Sequence, residues 1–159
     1  TGSFLWAKRF SGPTSAGAVA VVANPHRNVV YVTGATSGSA THQDIATIAY
    51  DATSGATRWV RTFDGDHKDD IPASLAVSPN GASVIVAGSS GAGTTPTQSY
   101  RFLVLAYNAT GGTKLWSTRL LQNAAPNDTA AGVVVSPDNQ TVFATGHKNH
   151  VMTTVAIRQ

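Results

Sequence analysis

Three times in this chain a glycine is followed four residues later by a tryptophan: Gly2 and Trp6, Gly55 and Trp59, Gly112 and Trp116. A second triplet interleaves with the first. A proline closes an apolar run in VVANP at Pro25, LAVSP at Pro79 and VVVSP at Pro137, and each is followed nine residues later by a glycine, Gly34, Gly88 and Gly146. The prolines are 54 and 58 residues apart, and counting from Pro137 through the end and on from Thr1 to Pro25 gives 47. The chain therefore reads as three repeats, the third split between its two ends. The clearest unit is Ile45 to Trp59, IATIAYDATSGATRW. Ile45, Thr47, Ile48 and Tyr50 suit a strand buried on both faces, Asp51, Ser54 and Gly55 suit a turn, and a second strand alternates from Arg58 to Phe63.

Each repeat is expected to hold four short strands. The first is innermost and rich in small residues: Ala16–Ala23, Pro72–Ser78 and Thr129–Ser136. The second is Val29–Gly34, Ser83–Gly88 and Thr141–Gly146; the third is Asp44–Tyr50, Phe102–Tyr107 and Val151–Ile157. The fourth is Thr57–Phe63, Lys114–Leu121 and, for the split repeat, Phe4–Phe10. Four antiparallel strands recurring about every 50 residues describe a β-propeller blade. No helical periodicity competes, so the fold class is all-β. The expected units are one blade over 16–63, one over 72–121, and a split blade with three strands in 129–157 and its fourth in 3–10.

Composition limits what such a chain can do. With 42% hydrophobic and 12% charged residues it can bury a core. It has no cysteine, which removes disulfides and thiolate metal sites. The formal charge is +3, and its eleven Lys and Arg form no cluster of four, so the basic stripe of a nucleic-acid interface is missing. The longest apolar runs, such as Ala16 to Ala23, fall far short of the roughly 20 residues of a spanning helix. The chain begins at Thr1 without a methionine and reads as a processed or excised piece.

The stretch AYDATSGATRW, from Ala49 to Trp59, resembles the tryptophan-docking motif A-x-D-x-x-T-G-x-x-x-W of pyrroloquinoline-quinone-type β-propellers, with Ser54 in place of threonine. AYNATGGTKLW, from Ala106 to Trp116, matches with Asn108 for the aspartate and Gly111 for the threonine. A third copy joins Ala156 at one end to Gly2 and Trp6 at the other, carries Arg158 at the acidic position and is one residue short. The run from Asp69 to Gly81 is similar to repeats of bacterial propellers of that superfamily. The resemblance implies that Trp6, Trp59 and Trp116 pack between neighbouring blades, with Gly55 and Gly112 in their docking turns. One tryptophan per blade at one register is also what inter-sheet packing demands. It implies no enzyme. The quinone dehydrogenases of that superfamily are eight-bladed rings with calcium, a vicinal disulfide and a catalytic aspartate, and this chain has no cysteine and three blades. A nucleophile elbow and glutamate are likewise lacking. No catalytic residue, resident metal or cofactor is expected.

Strand topology sorts the connections. The turns from first to second and from third to fourth strand share one end of each blade and are short and repeated. The second-to-third loops and the inter-blade loops share the other end, are long and differ between blades, and binding is expected there. This face carries His42, Asp66, His67, Tyr100, Arg101, His147 and His150. Each has a plainer reading. The loop Asp64 to Asp70 could offer carboxylates to calcium, which takes about six to eight oxygens, but it lacks the spacing of a calcium hand and reads better as a solvated turn. Asp70 and Asp128 each precede their proline by nine residues, as repeated caps would. Four histidines on separate loops seldom converge on a metal. Tyr100 and Arg101 would stack on a sugar or peptide, or Tyr100 would cover a blade edge. The expectation is a non-catalytic propeller binding a protein or carbohydrate outside the cytoplasm (extracellular, cell-surface or periplasmic); the alternative is a fragment of a larger secreted propeller. Three blades cannot close a ring of about 4 to 8, so a second copy is the expected partner, giving six.

Overall fold

The computed structural model describes residues 2–12, 14–37, 42–92, 99–125 and 128–159. Among them there is no helix; eleven strands form three antiparallel sheets of four, four and three. The first sheet is β1 (Ala16–Ala23), β2 (Val29–Ser37), β3 (Gln43–Asp51) and β4 (Thr57–Phe63), hydrogen-bonded in that order. The second is β5 (Asp70–Val77), β6 (Ser83–Ala92), β7 (Ser99–Asn108) and β8 (Lys114–Ala125). The third is β9 (Thr129–Val135), β10 (Thr141–Lys148) and β11 (Val151–Arg158). Residues 2–12 join no sheet.

The second strands run past the glycines that the sequence suggests as their ends: β2 continues beyond Gly34, β6 beyond Gly88 and β10 beyond Gly146. The first strand of each sheet shifts register beside that glycine, at Ala18/Ala20, Pro72/Ser74 and opposite Thr145/Gly146. There its backbone comes so close that a Cβ would collide with Gly17 O, Ile71 O or Thr129 O. These glycines admit a bulge rather than stop a strand.

Packing is face to face. Tyr31, Ile45, Ala49 and Trp59 of the first sheet meet Leu75, Val84, Val86, Leu103 and Leu105 of the second in one core. The other face of the second sheet, with Ile85, Phe102 and Val104, meets Ala130, Val133 and Val142 of the third in another. The second sheet is thus covered on both sides, and every residue of β6 is buried. At the ends of the stack, β1 and β11 are largely exposed.

Two tryptophans link one unit to the next in the same way. Trp59 donates its indole N–H to Ala109 O of the second sheet at 3.2 Å, and Trp6 donates to Ala52 O of the first at 3.0 Å. Beneath each ring lies a turn glycine with positive φ, Gly112 (70°) under Trp59 and Gly55 (68°) under Trp6. A Cβ on either would stand 2.7 Å from the indole Cδ2. Asp51 and Asn108 hold those turns, each accepting two backbone N–H groups through Oδ1. Trp116 is half-buried in the core between the second and third sheets.

Candidate functional site

Alternation of strand direction puts the 64–69 loop, the start of β7 and the far end of β8 at the same end of the stack. Phe63 ends β4 and Asp64 follows it, β7 delivers Arg101, and β8 contributes Arg119, Ser117 and, from its opposite end, Lys114. Phe63, Asp64, Asp66, Arg101, Lys114 and Arg119 line a cleft of about 450 Å³ between the outer strands of the first two sheets. Three cationic side chains face two carboxylates there.

The loop is tied down from within. Asp64 accepts the His67 backbone N–H at 2.9 Å, and its other oxygen lies 2.8 Å from His67 Nδ1. Asp66 and His67 hold positive φ of 65° and 54°. Arg119 spans the two sheets, with Nη1 2.9 Å from Asp66 Oδ2 and Nε donating to Ser90 Oγ at 3.0 Å. Its guanidinium lies 6.0 Å from the Phe63 ring centre and the Lys114 ammonium 5.7 Å, within cation–π range. Arg101 Nε is buried and has no hydrogen-bond acceptor among the described residues.

Beside the cleft a carboxylate is sealed in. Asp70, at the start of β5, is wholly buried and takes the Gly65 backbone N–H on Oδ2. Burial pushes its pKa up to about 6, helped by the nearby Asp64 charge and opposed by the Ser90 hydroxyl, the Gly65 N–H and Arg119. Asp44 is also shifted upward, first by burial and then by Asp64. Asp44, Asp64 and Asp70 bring one oxygen each within 4.8 Å of one another, the only such group among the described residues able to hold a cation. Among the described residues Asp70 Oδ1 lacks a hydrogen-bond partner, but so does Oδ2 of Asp128, which has no acidic neighbours in such a group. Asp128 is equally buried, and its other oxygen accepts the Asn149 N–H at 2.9 Å. The unpartnered oxygen therefore belongs to an aspartate that starts a sheet and pins a loop, and the acidic group adds nothing that calls for a metal.

Of the residues singled out in the sequence, Asp66 and Arg101 line the cleft together, and His67, next to Asp66 in the chain and paired with Asp64, has a side chain 93% exposed. His42 Nδ1 lies 3.8 Å from Asp69, which also accepts the Gln43 N–H at 2.9 Å. Tyr100 is half-buried near the Asp69 charge; burial first, then that charge, shifts its hydroxyl upward. His147 on β10 and His150 in the turn to β11 are exposed on the third sheet and line no part of the cleft. The middles of the loops after Gly34 and Gly88 and of the 122–128 connection, where binding was also expected, lie outside the described residues. Lys114 and Arg119 were not singled out, because only their apposition to Phe63 and Asp66 across two sheets marks them. A scan of protein-family models finds no match to the chain, and a search of curated proteins finds none either.

Proposed function

We propose that the chain is a non-catalytic β-propeller module, its three sheets being successive blades, whose long-loop end binds a protein or carbohydrate ligand in the cleft between the first two. The observation that carries this is the cleft itself: fixed donors and acceptors (Arg101, Lys114, Arg119, Asp64 and Asp66) held on two packed sheets beside the Phe63 ring. Stacked antiparallel sheets, the first two of which each take a tryptophan on a turn glycine, support the propeller reading. The mix of charges and an unsatisfied Arg101 Nε suit a hydroxylated ligand bearing an anionic group, since guanidinium pairs with carboxylate or sulfate through two parallel hydrogen bonds.

Nothing in the cleft needs a catalytic role. Of the two carboxyls shifted towards neutrality, Asp70 is closed off from solvent and Asp44 lines no part of the cleft. Among the described residues the His67–Asp64 pair has no hydroxyl nucleophile in its hydrogen bonds. A location outside the cytoplasm goes with this reading through the resemblance to pyrroloquinoline-quinone-type bacterial propellers.

A glycan array that includes uronic-acid and sulfated sugars tests the carbohydrate half, and capture by protein ligands the other. Any ligand found is then mapped by chemical shifts. Arg101→Ala and Arg119→Ala should each weaken it about tenfold or more, the scale of a lost charged hydrogen bond, with melting temperature nearly unchanged. Shift changes confined to the opposite end, around Asn24, Asn80 and Asp138, would refute the proposal.

A further inference from the structure

Counting from the prolines, equivalent positions of the three sheets have opposite fates at the two ends of the stack. Four residues before each proline stand Val21, Leu75 and Val133. Leu75 is 9% exposed, packed in the core with the first sheet, and Val133 is 8% exposed, packed against the second; Val21 is 68% exposed. Six residues after each proline stand Tyr31, Ile85 and Phe143. Tyr31 is fully buried towards the second sheet and Ile85 towards the third, yet Phe143 is 41% exposed. Val22 and Ala76, three before their prolines, pack into those same two cores, whereas Val134 is 60% exposed. The first sheet thus bares the face that the other two bury against a predecessor. The third bares the face that the first two bury against a successor. One chain carries both halves of the same joint.

Each bare face is a hollow rather than a plane. On the first sheet, Trp6, Phe10, Val21, Val30, Val32 and Ile48 line an apolar groove of about 300 Å³. On the third, Gly132, Val134, Phe143 and Thr145 line a hollow of about 350 Å³ that also reaches Ser74 of the second sheet. Residues 2–12 occupy a matching place. They belong to no sheet, but Trp6 sits on Gly55 and Ala52 as Trp59, from the fourth strand of the first sheet, sits on Gly112 and Ala109. Trp6 also meets Tyr50 at 6.2 Å and 45°, against 6.3 Å and 42° for Trp59 and Tyr107. The segment therefore stands where the outer strand of a preceding blade would stand. Its flanking Phe4 and Leu5 are 82% and 78% exposed. The complementary edge is the outer side of β11, at the end of a sheet of three strands among the described residues, where Val151 and Met152 are 63% and 82% exposed. Such an edge offers a row of unpaired N–H and C=O groups.

We infer that two copies of this chain join head to tail, the third sheet of each packing on the first sheet of the other and taking that copy's 4–10 segment as its fourth strand. Resting on the reading of the sheets as propeller blades, this closes a ring of six. Two joints related by a two-fold axis leave no bare face, and six blades fall within the range of about 4 to 8 that propellers use, whereas three copies would need nine.

Light scattering coupled to size exclusion on residues 1–159 should give about twice the 16.4 kDa chain mass. A well-folded monomer, or a trimer or larger closed species, would overturn the inference. Val21→Asp and Phe143→Asp alter opposite faces, so each should give monomers with an unchanged circular dichroism spectrum; Val134→Asp, at a more exposed position of the same face, replaces Phe143→Asp if that variant unfolds. Mixing Val21→Asp with Phe143→Asp should return a mixed dimer in native mass spectrometry, because one of its two joints is intact. A Phe143→Asp or Val134→Asp protein that stays dimeric, or a mixture without the mixed species, would overturn the head-to-tail arrangement. A monomer that still binds ligand in the cleft would leave the proposed function standing.

Discussion

Replacing Trp59 with alanine should cost a large share of the chain's stability. The side chain is 7% exposed, with Tyr31 at 5.7 Å and Tyr107 at 6.3 Å between ring centres and the Gly112 turn beneath it. An aromatic of this size buries about 150–250 Å², which at ~25 cal/mol per Å² is roughly 4–6 kcal/mol, part of which the alanine methyl retains. The hydrogen bond counts for little, since Ala109 O keeps the Tyr31 hydroxyl at 2.9 Å and is not orphaned. The cavity cannot close readily, because its floor is the backbone of a held turn. The expected loss is about 3–5 kcal/mol. Urea unfolding followed by far-ultraviolet circular dichroism measures it. Leu115→Ala, at a position 52% exposed, serves as the control and should cost no more than about 0.5 kcal/mol. A loss at Trp59 below about 1 kcal/mol would refute the inter-sheet docking from which the figure is built.

Gly112→Ala should cost about 3 kcal/mol or more, combining a left-handed backbone with a Cβ set against the indole, whereas Gly111→Ala, with nothing within 4 Å, should be nearly neutral by the same urea assay. Asp70→Asn tests the sealed carboxyl. Its pKa is raised from 3.8 to about 6, so the neutral form favours folding below about pH 4, and that contribution is lost as pH rises through 6. Relative to wild type, the variant should gain on the order of 3 kcal/mol between pH 4 and pH 8, and a pH-independent difference would count against the burial of that charge. Arg119→Ala should shift stability by under about 1 kcal/mol, because its partner Asp66 is 61% exposed and the pair is screened; a loss above about 2 kcal/mol in thermal unfolding would make it structural instead.

Much of the strand framework was legible because its signals are local. β1 and β4 begin and end where small or β-branched runs meet turn residues, and Asp51 and Asn108 announce their turns through side-chain acceptors. The second strands outrun their sequence signal because glycine is ambiguous in one dimension: Gly34 looks like a stop, and only the bulge at Ala18/Ala20 shows that it makes room. The site was harder. Asp66 and Arg101 stood out as polar residues near loops, but their meeting depends on how the first sheet packs on the second. Arg119 lies amid ordinary strand residues and becomes noticeable only when Asp66 is 2.9 Å away. His147 and His150 showed the converse, alike in the sequence to His42 and His67 yet carried on another sheet.

The stacking of one sheet on the next through a docked tryptophan underlies the fold and the cleft, and the proposed ring rests on it. The indole N–H of Trp59 reports on it directly in a nuclear Overhauser experiment. Cross-peaks to Gly112 and Tyr107 of the second sheet, with slowed exchange of that proton, are the expected result. An indole proton that exchanges freely and shows neighbours only within β3 and β4 would contradict the account.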